Sequence, residues 1–264
     1  MNTETILIAF GLTLIAGLST GIGSVLAFFT KQTNKQFLST SLGFSAGVMI
    51  YVSFMEMMPK ASEDLVGRFG EYEGQCYLLL AFFGGMGLIQ IIDFLIPEER
   101  NPHEMHNVEE LQTNPSHLKK TGLLVAASIA IHNFPEGLAT FTSALNDVEI
   151  ALPITLAIAI HNIPEGIAVS VPIYQATGKK KKAFYLSFLS GMAEPLGALI
   201  GFVVLLPFWS PMMNGIVLAL VSGIMIFISM DELLPSAQKY GKHHHSIVGM
   251  VCGMMVMAFS LLFL

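Results

Sequence analysis

Nine residues occur twice in this chain with little change. Positions 131–139 read Ile-His-Asn-Phe-Pro-Glu-Gly-Leu-Ala, and positions 160–168 read Ile-His-Asn-Ile-Pro-Glu-Gly-Ile-Ala. Each copy offers an imidazole, an amide and a carboxylate. His132 and Glu136 are four apart and share one helix face, while Asn133 lies about 100° around the helix and can still line the same cleft. His161, Asn162 and Glu165 repeat the set. Imidazole and carboxylate together suit Zn²⁺ and its first-row neighbours, whereas Ca²⁺ and Mg²⁺ favour all-oxygen sites. A third carboxylate, Glu194, stands in Gly191-Met-Ala-Glu-Pro195-Leu-Gly197, again beside proline and glycine. Three buried carboxylates repel one another unless cations lie between them.

All of these residues lie in long apolar runs. The chain has 264 residues, 53% hydrophobic and 12% charged, against about 25% charged for a soluble domain. Its apolar stretches reach the roughly 20 residues that a membrane-crossing helix needs. They fall at 5–29, 37–58, 76–96, 121–144, 150–174, 183–207, 212–234 and 246–264. The fold class expected is an all-α membrane protein with eight transmembrane helices, residues 1–264 forming one domain. Ionisable groups inside such spans are costly and mark function. Pro135 and Pro164 cannot donate to the carbonyls of Ile131 and Ile160, so the helices are expected to be interrupted there. Gly137 and Gly166 admit another backbone at close range.

Loop charges orient the spans. The loops after spans one, three, five and seven carry Lys31, Lys35, Arg100, Lys119, Lys120, Lys179 to Lys182, Lys239 and Lys242, which leaves only Lys60 and Arg68 of the 13 basic residues on the other side. Cytoplasmic loops hold the excess of Lys and Arg. Both termini are therefore expected outside the cytoplasmic membrane, with 97–120 a mobile cytoplasmic loop. Cys76 and Cys252, far apart in apolar runs, are expected to be buried small hydrophobes rather than a disulfide. No basic stretch alternates with aromatics, which excludes a nucleic-acid partner.

A longer repeat aligns Gly47–Ala61 with Gly223–Ala237 at an offset of 176, matching Gly, Met, Ile, Ser, Glu, Pro and Ala. It joins span two to span seven, as the nine-residue motif joins span four to span five. Each pair contains one odd and one even span, which is the mark of inverted-topology repeats. The chain then divides as a 3+2+3 inverted-repeat bundle, with its site near the midplane. Within the longer repeat, Glu56 and the pair Asp231 and Glu232 are expected at the two ends of a path through the bundle. His103, His106, His117 and His243 to His245 are candidates for low-affinity metal capture on the cytoplasmic side.

On these motifs and spans the chain resembles the ZIP family of divalent-metal transporters along nearly its whole length. The resemblance implies a two-metal centre. One site would use His132, Glu136, His161 and Glu165. The other would use Asn133, Glu136, Asn162, Glu165 and Glu194, with Glu136 and Glu165 bridging. Other branches begin the fifth-span motif with Gln-Asp; His161-Asn162 here removes a negative charge from the second site. The resemblance also implies uptake into the cytoplasm and a homodimer. Zn²⁺, Fe²⁺, Mn²⁺, Co²⁺ and Cd²⁺ are expected as cargo, with no prosthetic cofactor, and the lipid bilayer as the surrounding partner. The competing reading, an intramembrane metal-dependent hydrolase, wants His-Glu-x-x-His on one helix, and the chain has no such motif.

Overall fold

The computed structural model describes residues 3–28, 35–95, 130–131, 133–145, 147–205, 207, 210–240 and 243–263. Among them every regular element is helical. In chain order these are α1 (Thr3–Ala27), α2 (Lys35–Val52), α3 (Met58–Phe69), α4 (Glu71–Leu95), α5 (133–145), α6 (Val148–Thr177), α7 (Lys180–Gly191), α8 (Ala193–Leu205), α9 (Pro211–Ile228), α10 (Leu234–Tyr240) and α11 (His243–Phe263). Seven stretches among the described residues are long and apolar enough to cross a membrane. They coincide with seven of the eight expected runs. The remaining run, 121–144, is described only from residue 130, and the loop 97–120 lies outside the described residues.

Local chemistry sets the ends. Asp147 accepts a hydrogen bond from the Glu149 N–H at 2.9 Å and caps α6, and Ser210 does the same for α9 through Met213 N–H at 3.2 Å, ahead of Pro211. Gly178, at φ +63°, closes α6 in the left-handed conformation that glycine adopts without strain.

The helices sort into two bundles. In the first, α1 packs along α6, α7 and α8, and α5 joins through aromatic contacts of Phe141 with Phe10 and Phe202. In the second, α2 packs along α11 and α10, and α9 along α3 and α4. The seam between the bundles runs chiefly along α2 and α6. The outward helices α4 and α11 are only 22% buried over their spanning windows and expose Leu80, Phe83, Val248 and Phe259. Apolar faces of that extent belong against lipid rather than water. Cys76 and Cys252 sit on these two helices and are exposed. The expectation that they are buried is corrected, because α4 and α11 turn most of their surface outward.

The two halves of the longer repeat adopt the same local structure. A π-helical turn spans Ser53–Met57 and another spans Ser229–Leu233, where Met58 N–H reaches Ser53 O and Leu234 N–H reaches Ser229 O. Both offsets are 176. Pro59 and Pro235 follow at once in the next helix, and each withholds the N–H that would continue the α ladder. The longer-range contacts correspond too. A Cβ on Gly47 would collide with Met250 O of α11, and one on Gly223 with Phe82 O of α4. Ser39 Oγ donates to Ala237 O at 2.5 Å, while the matching Gly215 faces Ala61 O. The start of each unit therefore lies beside the end of the other, so α2 and α9 run antiparallel. The correspondence ends at one polar contact: Asn214 donates to Asp64 Oδ2 at 2.7 Å, whereas the positions related to them are Leu38 and Tyr240.

Because these close approaches are made by backbone, they cannot yield as a flexible side chain would. Overpacking of this kind costs about 1–3 kcal/mol. Gly47→Ala and Gly223→Ala are each expected to lower the thermal unfolding midpoint of the detergent-solubilised protein by several degrees. Gly11→Ala, where a Cβ meets nothing within 4 Å, should leave it unchanged.

Candidate metal centre

Of the seven expected ligand residues six have described side chains, and five of these cluster where α5, α6 and α8 meet α1 and α2. Glu136 comes from α5, His161, Asn162 and Glu165 from α6, and Glu194 from the first turn of α8. All five are at most 1% exposed. The sixth described residue, Asn133, is also fully buried, but its Nδ2 donates to Ser190 O at 3.4 Å, which ties α5 to α7. The seventh, His132, lies outside the described residues.

The doubled motif is held in place by its glycines. A Cβ on Gly137 would strike the backbone of Glu194, and one on Gly166 would strike Thr20 O of α1. Glycine thus brings α5 onto α8 and α6 onto α1 at backbone contact, which carries the neighbouring Glu136 and Glu165 inward. Contrary to expectation, α6 is not interrupted at its motif: helix runs unbroken from Val148 to Thr177 through Pro164. One lost hydrogen bond is tolerated there because α1 packs along the same stretch. The break in this region falls instead in span six, at Met192 between α7 and α8. Pro195 needs no helical acceptor in that position, since a helix's first N–H groups have none. Glu194 then sits in the first turn of α8, where the helix dipole favours a carboxylate.

The ligand atoms nearly touch. His161 Nε2 lies 3.1 Å from Glu136 Oε1 and 4.0 Å from Glu165 Oε1. Two ligands on one tetrahedral Zn²⁺, with bonds of about 2.0 Å, stand about 3.3 Å apart. The observed spacings are of that order. Asn162 Nδ2 donates to Glu194 Oε1 and, at 3.0 Å, to Ala16 O. Asn162 Oδ1 and Glu194 Oε2 have no hydrogen-bond partner among the described residues. Buried acceptors facing no donor are costly, by about 1–3 kcal/mol, and a cation is the natural species to satisfy them. Among the described residues no group of three His, Cys, Asp or Glu side chains is placed to hold a metal ion without further ligands.

The expected path residues belong to other elements. Glu56 and Glu232 are half-buried, each inside one of the two π turns, and Asp231 is exposed beside Glu232. Of the loop histidines, His243 and His244 are exposed at the start of α11 and His245 is half-buried, whereas His103, His106 and His117 lie outside the described residues. One participant was not foreseen. Ser45 of α2 is buried with its Oγ 3.4 Å from His161 O and 3.5 Å from Glu165 Oε1. The available signal was its place in the small-residue run Gly43-Phe-Ser45-Ala-Gly47, which allows close helix approach.

The sequence profile of the family described as "ZIP Zinc transporter" matches residues 95–261. The chain belongs to the ZIP zinc transporter family. Among ZIP relatives, a protein named "Zinc transporter ZupT" from Streptococcus mutans is 61% identical over 254 residues, covering 96% of both chains. ZupT proteins from Clostridium perfringens and Nitratidesulfovibrio vulgaris are 56% and 55% identical, covering 99% of this chain and 97% and 99% of their own. ZIP membership makes the chain a multi-pass membrane transporter rather than an enzyme, and the hydrolase reading has no support.

The Asn162–Glu194 contact gives a direct test of the site's electrostatics. Asn162→Asp replaces a donor with a second buried carboxylate, so the two repel unless a cation lies between them. The variant is expected to unfold several degrees below wild type in chelator, yet to gain more stability than wild type from added Zn²⁺. Thermal unfolding in detergent with and without the metal measures both.

Proposed function

We propose that this chain carries Zn²⁺ and related divalent ions, Fe²⁺, Mn²⁺, Co²⁺ and Cd²⁺ among them, inward across the cytoplasmic membrane through a binuclear centre. The centre is built from His132, Asn133, Glu136, His161, Asn162, Glu165 and Glu194. The observation that carries this reading is the close approach of His161 to Glu136 and Glu165 inside an apolar bundle, in a chain whose relatives are named zinc transporters.

The architecture we infer is the 3+2+3 inverted repeat, supported by the two π turns at matching positions and by the reciprocal Ser39–Ala237 and Gly215–Ala61 contacts. π turns are frequent at functional sites, which supports Glu56 and Glu232, with Asp231, as waypoints at the two ends of the path. The excess of Lys and Arg in the odd-numbered loops supports termini on the outer side. A second copy of the chain is the partner that the family resemblance suggests.

Transport proceeds by alternating access, one bundle moving against the other about the site. The chain contains no Gly-Lys-Ser/Thr phosphate-binding loop, which argues against direct use of ATP, and the membrane potential is one available driving force. A charge gains about 2.3 kcal/mol per 100 mV, so a divalent ion gains twice that. Uptake of radioactive zinc into proteoliposomes is expected to fall at least tenfold in Glu136→Ala and in His161→Ala. Wild-type rates in both would overturn the assignment of the site.

A further inference from the structure

Ser45 occupies an unusual place among the buried serines of its segment. Ser39 donates to Ala237 O in α10 and Ser53 to Met225 Sδ in α9, so both are satisfied within the second bundle. Ser45 instead reaches across the seam to α6 of the first bundle, with one proton between two acceptors. The His161 carbonyl already lies in the hydrogen-bond ladder of α6. The carboxylate of Glu165 is the acceptor that gains from a hydroxyl, and a bond to a charged oxygen is the stronger of the two.

We propose that Ser45 is a positioning residue for the metal centre: its hydroxyl, supplied by the second bundle, holds the Glu165 carboxylate in the orientation that binds the cation. This rests on the assignment of Glu165 as a ligand. An outer hydrogen bond narrows the orientations open to a ligating carboxylate, and loss of such a bond costs about 10–100-fold in metal affinity. The bond also crosses the surface along which the bundles must move. Glu165 is therefore held by Ser45 only while α2 and α6 keep this register.

The test compares wild type, Ser45→Ala, Ser45→Thr and Glu165→Ala in zinc uptake by proteoliposomes, at equal protein content. Ser45→Ala is expected to raise KM for zinc about tenfold with little change in maximal rate, and Ser45→Thr, which keeps the hydroxyl, to stay within about threefold of wild type. The zinc-dependent rise in unfolding temperature of the purified protein provides a second readout that does not require transport, and Ser45→Ala should need about tenfold more zinc for the same rise. Wild-type KM and zinc response in Ser45→Ala, with Glu165→Ala inactive, would overturn the role of Ser45 and leave the metal centre standing. Equal losses in Ser45→Ala and Ser45→Thr would assign the effect to packing and overturn it as well. Wild-type behaviour of Glu165→Ala would overturn the metal centre and this inference with it.

Discussion

Glu136, Glu165 and Glu194 sit with almost no exposure in the interior of an apolar bundle, and the surrounding structure is arranged around that arrangement's cost. Removing a carboxylate from water costs several kcal/mol even after relaxation. Among the described residues no Lys or Arg is buried, so compensation comes from the His161 imidazole, the Asn162 amide, the Ser45 hydroxyl and the N-terminus of α8. Asn162 shows how tightly the elements are bound to this task. Its one amide nitrogen joins α6 to α1 through Ala16 O and to α8 through Glu194. Asn133 performs a related service between α5 and α7.

Glycine is what lets the backbones come near enough. Gly137 against Glu194 and Gly166 against Thr20 place the two copies of one motif on two different neighbours, which is how similar sequences come to build one site from two sides. The Glu56 and Glu232 segments follow the same logic farther out. Each is a π turn followed by a proline, and each is continued by a short helix that packs against the other unit.

Much of this was legible in residue order, and the failures have physical causes. Apolar runs of bilayer length marked the spans, because a lipid-exposed helix must be apolar over its whole crossing. The end of span two was set too early, at residue 58, because Lys60, Glu63 and Asp64 end the apolar run. The helix continues to Phe69 with Ala61 and Leu65 buried on one face, a four-residue spacing that hydropathy averaging conceals. Pro164 pointed to a break that α6 does not make, while the true departures from α-helix occur one turn before Pro59 and Pro235. A proline states which hydrogen bond is missing; its neighbours decide where the strain is released. Ser45 stayed hidden because a hydroxyl acting on a residue 120 positions away leaves no trace in local spacing.

The backbone contacts described above, Gly47 with α11, Gly223 with α4, Gly137 with α8 and Gly166 with α1, all lie within one bundle or the other. Such a contact works like a tooth in a notch: for one helix to advance along its neighbour, a carbonyl would have to climb over the adjacent side chains. Each bundle is thereby geared internally to a single setting. None of these teeth crosses the α2–α6 seam, where the hydroxyl of Ser45 meets the His161 carbonyl and the Glu165 carboxylate. The motion proposed above, of one whole bundle past the other, would therefore leave each of these contacts in its notch.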